Sequence, residues 1–277
     1  MFVSEVLSAA RASARLRVFP GWLAEIRRFE LDRISAFLPC GGRVLDFGAG
    51  PGDQALKLKE LGFEVDAVDL QTSSPRATPV FPVRSYDGRI LPFPDACFDA
   101  VMSSNVLEHV KDLPATLREL ARVLKPGGTM VHVVPSSAWR WWSTLAEFGA
   151  APRNAWLMRG MRCDRTGDGA PMARWRWSVG VLACFFAWVV RAFLFRPHGE
   201  GGSALTELWT FSRYAWSRQF VAQGFQVLHV EPMKLWYTGE TLMGPRLSLA
   251  QRARMSKWLG SVAVLYVICP PSSKVAA

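Results

Sequence analysis

From Trp22 to Leu38, apolar residues recur at Leu23, Ile26, Phe29, Ile34 and Phe37 with charges between them. That spacing predicts an amphipathic helix. Beyond Pro39-Cys40-Gly41-Gly42 the pattern changes: Arg43 to Phe47 predicts a strand, Gln54 to Leu61 a helix closed by Gly62, and Glu64 to Leu70 a second strand. Gln71 to Pro82, rich in Ser, Thr and Pro, predicts an irregular connection, and Pro82 to Tyr86 a weak third strand. Phe98 to Ser103 follows as a fourth strand, Pro114 to Leu124 as a helix, and Thr129 to Val134 as a fifth strand behind the Pro126-Gly127-Gly128 turn. After Pro135 the regularity stops until about Leu205. A helix at Ser212 to Gln223 and strands at Phe225 to Val230 and Val262 to Cys269 would complete the sheet.

Strands alternating with helices argue for a parallel sheet covered on both faces. The expected architecture is α/β: a doubly wound, seven-stranded, mainly parallel sheet with a hydrophobic helical insertion after strand five. Residues 1–138 would hold the N-terminal helix and the core, 139–205 the insertion, and 206–277 the part that completes the sheet.

The sharpest chemical signal is Val44-Leu45-Asp46-Phe47-Gly48-Ala49-Gly50-Pro51-Gly52, set between a strand and a helix. Glycines at alternate positions let the backbone turn tightly and leave room for a ligand against main chain. Asp46, just ahead of them, can accept a hydrogen bond from a cationic or amino-bearing ligand. Asp69, at the end of the next strand, is placed to take both hydroxyls of a ribose. A dinucleotide fingerprint would carry its third glycine one residue later, and Asp53 would repel a phosphate, so a cationic adenosyl ligand fits this loop better.

Four motifs occur in order: the Asp-x-Gly-x-Gly-x-Gly run with Asp69; Leu91-Pro92-Phe93-Pro94-Asp95 leading to Phe98-Asp99-Ala100-Val101; Asn105-Val106-Leu107-Glu108-His109-Val110; and Leu120-Ala121-Arg122-Val123-Leu124-Lys125-Pro126-Gly127-Gly128. Together they resemble the class I S-adenosylmethionine-dependent methyltransferases of the ubiquinone-biosynthesis-like (methyltransferase type 11) group, which have a Rossmann-like fold. The match spans roughly Arg43 to Pro135. The resemblance implies S-adenosylmethionine as cofactor, with Gly48, Gly50 and Gly52 around its methionine and ribose portions. It implies Asp46 near the amino group, Asp69 on the ribose, Asp87 with Gly88 facing the adenine, and Ser104 with Asn105 bordering the methyl side.

The 33 Lys and Arg residues divide as 16 up to Ala138 and 17 after it, whereas the 23 acids divide as 16 and 7. The first half is therefore neutral and the second carries the whole net charge of +10, together with eleven of the 12 Trp. Field and aromatic stacking of this kind suit an anionic membrane surface, an acidic substrate or nucleic acid. Val179 to Phe195 is apolar on all sides but interrupted by Arg191, and at about 20 residues needed for a crossing it is short. It reads either as a helix packed over the active site or as one that dips into a leaflet, anchored by the flanking Trp and Arg. An insertion after strand five opens onto the methyl donor. A small-molecule or lipid-linked acceptor is thus the expected partner, with an anionic membrane surface as a further contact.

Five scattered cysteines without a Cys-x-x-Cys pair predict neither a disulfide framework nor a metal site. The residues Met1 to Trp22 do not resemble a secretory signal. A cytoplasmic chain, peripheral on the inner face of the membrane if the insertion touches it, is expected. Of four histidines, His132 and His229 lie inside strands, and His109 lies in a motif that suits a helix start as well as catalysis. His198, in the polar glycine-rich Pro197 to Gly202, is the candidate base for an alcohol acceptor, with an ordinary surface loop as the alternative. The function expected is methyl transfer, for instance to a saccharide hydroxyl in envelope or exopolysaccharide synthesis. The alternatives are RNA methylation, disfavoured because apolar runs interleave the basic residues, and a non-catalytic membrane-associated scaffold.

Overall fold

The computed structural model describes residues 20–70, 79–146, 198–199, 203–238 and 246–271. Helix α1 (Pro20–Ser35) leads to β1 (Arg43–Phe47), α2 (Asp53–Glu60), β2 (Glu64–Leu70), β3 (Val83–Tyr86), β4 (Phe98–Ser104), a 3-10 turn at Leu107–His109, α3 (Leu113–Val123) and β5 (Leu124–Pro135). Residues 137–146 are helical. Then come α4 (Ala204–Thr210), α5 (Arg213–Ala222), β6 (Gln226–Pro232), α6 (Leu249–Leu259) and β7 (Ala263–Cys269).

The seven strands form one sheet in the order β3-β2-β1-β4-β5-β7-β6. The pairs among β1 to β5 are parallel, and β7 runs antiparallel to both β5 and β6. The doubly wound, mainly parallel sheet expected from the sequence is therefore the fold. Because side chains alternate across a strand, Leu45, Val101, Met130 and Val134 face Leu117, Leu120, Val123 and Phe220 of α3 and α5. Val44, Ala100, Met102, Val131 and Val133 face Leu31, Ile34 and Leu58 of α1 and α2 on the opposite side. Burial on both faces explains why β7 reads as a continuous apolar run.

Two elements differ from the sequence reading. β5 begins at Leu124, directly after α3, and not at Thr129. The register jumps from Phe98↔Leu124 to Ala100↔Thr129, so Pro126-Gly127-Gly128 is taken up as a bulge inside the strand. The helix α6 was not anticipated; its Ser248 and Gln251 form a reciprocal capping box. Among the described residues no helix is long and apolar enough to cross a membrane. The apolar run 179–195 lies outside the described residues, as does most of the expected insertion. Residues 137–146, at its start, carry Trp139, Arg140, Ser143 and Thr144 into buried positions.

Phe220 is fully buried and packs on His132, Trp216 and Tyr266, whereas Trp258 is 90% exposed. Phe220→Ala is expected to cost about 3–5 kcal/mol and Trp258→Ala less than about 0.5 kcal/mol, both read from urea unfolding midpoints.

Candidate active site

β1 lies between β2 and β4, with Asp46 beside Ala67 on one side and Met102 on the other. The strand order reverses here, which opens a crevice at the carboxyl ends. The chain leaves β1 through Gly48-Ala49-Gly50-Pro51-Gly52 and folds back onto the end of β2. Gly48 N and Ala49 N both donate to Val68 O, at 2.9 and 3.1 Å, and Gly50 N donates to Asp69 Oδ2 at 2.7 Å. All three glycines are left-handed, with φ of 78°, 56° and 90°. A Cβ on Gly48 would lie 2.5 Å from Val106 Cγ2, and one on Gly52 2.6 Å from Phe81 Cβ, whereas one on Gly50 would meet open space.

A cleft of about 790 Å³ spreads from this loop across the ends of β2, β3 and β4. Gly48, Asp69, Asp87, Gly88 and Asn105 line it, with Tyr86, Val106 and His109 among their neighbours. Asp46, Gly50, Gly52 and Ser104 are not among its lining residues. Asp46 is buried behind the loop, where the Ala55 backbone N–H reaches its carboxylate while Oδ2 has no hydrogen-bond partner among the described residues. Burial, reinforced by the charge of Asp69, pushes the Asp46 carboxyl up to about 7. Asp87 is exposed and accepts backbone N–H bonds from Arg89 and Ile90, which hold it below the usual carboxylate range.

Ser104 Oγ donates to Glu30 Oε2 at 3.3 Å and accepts from Asn105 Nδ2 at 3.1 Å. Glu30 is fully buried; Arg27 donates to it at 2.6 Å and Tyr237 Oη at 3.0 Å. This network pins α1 and the segment after β6 beneath the end of β4. Arg27, Glu30 and Tyr237 carried no recognisable sequence signal, because 207 residues separate Glu30 from Tyr237.

His198 is not among the lining residues of the cleft but lies against His109, which is. Its ring centroid lies 4.8 Å from that of His109 and 4.3 Å from that of Trp139. Its backbone N–H and that of Gly199 donate to Glu207 Oε1 at 2.6 and 2.7 Å, and the other Glu207 oxygen faces Arg140 Nε at 3.0 Å. Glu108, beside His109, has a fully buried side chain, and burial pushes its carboxyl up to about 8. His132, by contrast, is a core residue: Nδ1 meets Ser103 Oγ at 2.8 Å, and burial pushes the imidazole down to about 3. His229 stacks against Phe37, far from the glycine loop in the sheet order.

A family model described as a methyltransferase domain matches residues 22–230. The chain belongs to the methyltransferase domain family. It is a class I S-adenosylmethionine-dependent methyltransferase by family, and S-adenosylmethionine is the cofactor that membership brings. The chain is 35% identical over 144 residues to a ubiquinone biosynthesis O-methyltransferase of Bradyrhizobium sp., covering 50% of this chain and 56% of the relative. It is 42% identical over 95 residues to a demethylmenaquinone methyltransferase of Corynebacterium urealyticum, covering 32% of this chain and 40% of that one. Among solved structures, an S-adenosylmethionine-dependent methyltransferase from Mesorhizobium loti aligns with a TM-score of 0.49 at 18% identity, over 87% of this chain and 97% of that one. The chain spans about half the length of the curated relatives it matches.

The loop of this methyltransferase domain is intolerant at Gly48 for two separable reasons, a left-handed backbone and the contact with Val106. Gly48→Ala is expected to cost about 1–2 kcal/mol for the backbone alone, with a further loss for the contact. Chemical denaturation of Gly48→Ala and of Gly48→Ala/Val106→Ala should show the double variant recovering part of that loss.

Proposed function

We propose that this chain transfers the methyl group of S-adenosylmethionine to an oxygen of a small or lipid-linked acceptor. The observation that carries the reading is the pair of carboxylates at the carboxyl ends of β1 and β2. One is buried with an oxygen lacking any partner among the described residues, and the other lines a cleft large enough for a nucleoside-sized ligand. An orphaned buried acceptor suits an ammonium, and a carboxylate at the cleft wall suits a pair of hydroxyls; neither suits a pyrophosphate.

In this reading Asp46 holds the amino group and Asp69 the ribose. Gly48, Gly50 and Gly52 let the main chain approach, Asp87 and Gly88 border the adenine, and Ser104 and Asn105 border the reacting side. When bound, S-adenosylmethionine supplies an electrophilic methyl group on a sulfonium centre. Placing the acceptor in line with that methyl is the larger part of the task. A hydroxyl acceptor must also lose its proton, and the cluster of Glu108, His109 and His198 at the mouth is where this chain can manage it. The relatives' names, including a 27-O-demethylrifamycin SV methyltransferase of Amycolatopsis mediterranei, support oxygen as the acceptor atom. The basic, Trp-rich second half of the chain supports an amphiphile bearing phosphate, such as a lipid-linked saccharide of envelope or exopolysaccharide synthesis, and a peripheral contact with an anionic membrane.

Calorimetric titration tests the cofactor site. S-adenosylmethionine should bind the wild type, bind Asp69→Ala about 10–100-fold more weakly for the loss of charged hydrogen bonds, and outcompete a nicotinamide dinucleotide; a folded wild type that binds none of it would sink the reading. A pH dependence follows from Asp46. Its carboxyl titrates at about 7 in the free protein, and a cationic ligand favours the ionised form. Affinity is therefore full above about 7 and falls as pH drops through it, by up to about tenfold per unit. Asp46→Asn should bind weakly at every pH, with this dependence removed.

A further inference from the structure

Single exposed hydrophobic side chains are ordinary, but a set of large ones gathered on one end of a molecule marks contact. Among the described residues three tryptophans are exposed: Trp141, Trp209 and Trp258, at 44%, 63% and 90%. They stand on three elements that are bonded to one another. Trp141 belongs to the helical residues 137–146, where Ser137 Oγ donates to Leu208 O beside Trp209 of α4, and Trp142 Nε1 donates to Leu259 O beside Trp258 of α6, at 2.8 Å. A Cβ on Gly260, just beyond α6, would lie 3.0 Å from Ala138 Cβ. Residues 137–146 leave the carboxyl end of β5, and α4 holds Gly199 against the turn after β4 through Glu207. The three elements therefore meet at the end of the sheet on which the cleft opens.

The neighbours of these rings are apolar or basic. The Trp209 ring centroid lies 5.8 Å from that of the exposed Tyr214 of α5, and Leu205 is exposed one turn earlier on the same face of α4. One turn beyond Tyr214 comes the exposed Arg218, and one turn before Trp258 the exposed Arg254; Arg213 and Lys257 are exposed beside them. The acid of α4, Glu207, is buried against Arg140. From Leu208 to Pro271 the described residues include one acid, Glu231, and it is paired with Arg33. The face thus carries positive charge that its own elements do not offset. Aromatic rings with an N–H or O–H, set among Arg and Lys, suit the boundary between acyl chains and headgroups: the ring enters the apolar layer while the polar tip and the cations stay with water and phosphate. A second copy would bring like charge against like.

We propose that the face carrying Trp209, Tyr214 and Trp258, with Arg218 and Arg254 one turn away, docks the chain on an anionic phospholipid surface. Docking turns the carboxyl ends of the strands, and with them the cleft, toward the bilayer. An acceptor with a lipid anchor then reaches the crevice without leaving the membrane. That use of the surface rests on the methyl-transfer reading above; docking itself does not.

The test floats the full chain, at low salt, with vesicles of phosphatidylcholine alone or mixed with phosphatidylglycerol. Wild type should rise with the mixed vesicles and stay behind with the neutral ones. Each Lys or Arg near an anionic surface strengthens attachment about fivefold, so Arg218→Gln/Arg254→Gln should weaken it about 25-fold. Trp209→Ala/Trp258→Ala should weaken it by at least about tenfold, since burying even one large apolar side chain is worth that much. Both variants should keep the wild-type urea midpoint and bind S-adenosylmethionine as wild type does, which separates loss of docking from loss of fold. The proposal is overturned by a wild type that does not attach, by undiminished attachment in either double variant, by a wild-type dimer that the tryptophan variant dissociates in sedimentation, or by binding of a single-stranded oligonucleotide in place of vesicles. A wild type that docks but takes up no S-adenosylmethionine would uphold the surface and remove the methyl-transfer reading.

Discussion

The hydrogen bond from Gly50 N to Asp69 holds the loop after β1 against the end of β2, and the geometry of the crevice at the carboxyl ends of the strands depends on it. A charged acceptor makes such a bond worth about 1.5–3 kcal/mol. Two further N–H donors, from Gly48 and Ala49, converge on Val68 O. Three left-handed residues in five positions are needed to complete that fold-back, which only glycine supplies without strain. Asp69 is thus committed to the loop through one oxygen and to Leu70 N through the other. The same side chain that positions the loop also lines the cleft.

Four buried carboxylates surround this region, and their partners sort them into two kinds. Glu30 is met by Arg27, Tyr237 and Ser104, and Glu207 by Arg140 and two backbone N–H groups. Both join segments distant in sequence, so removing any partner would leave an uncompensated buried charge. Asp46 and Glu108 are different: Asp46 Oδ2 and both Glu108 oxygens have no hydrogen-bond partner among the described residues, and burial raises both carboxyls well above their ordinary range, whereas Glu207 Oε2 faces Arg140 in an ion pair. Such groups are retained where a ligand completes them, which is why perturbed carboxyls concentrate at functional sites. One stands behind the glycine loop and the other in the turn after β4.

The β-strands were readable from the sequence because both faces of this sheet are buried and the turns between elements carry Gly and Pro. The cofactor loop was readable because its glycines are dictated by local backbone geometry. What escaped is held by long-range contact. β5 starts five residues early because its bulge is stabilised by pairing with β4, not by its own Pro-Gly-Gly sequence. Helix α6 carries a capping box, but its arginines interrupt the apolar stripe; one of them, Arg252, is buried over the Trp22 ring. Glu108 was visible in its motif, yet nothing local says that its side chain turns inward. The grouping of His198 with His109 arises only through Glu207 and Arg140, 67 residues apart.

That last pair also bears on the segment between them. The chain departs from the core through the helical residues 137–146, whose Trp139 stacks near His198 and whose Arg140 grips Glu207; Ser137 Oγ donates to Leu208 O at 2.6 Å. It returns at His198 and Gly199, pressed on the Glu108 turn. Departure and return are therefore fastened to each other beside His109, by a buried ion pair whose rupture would strand charge in the core.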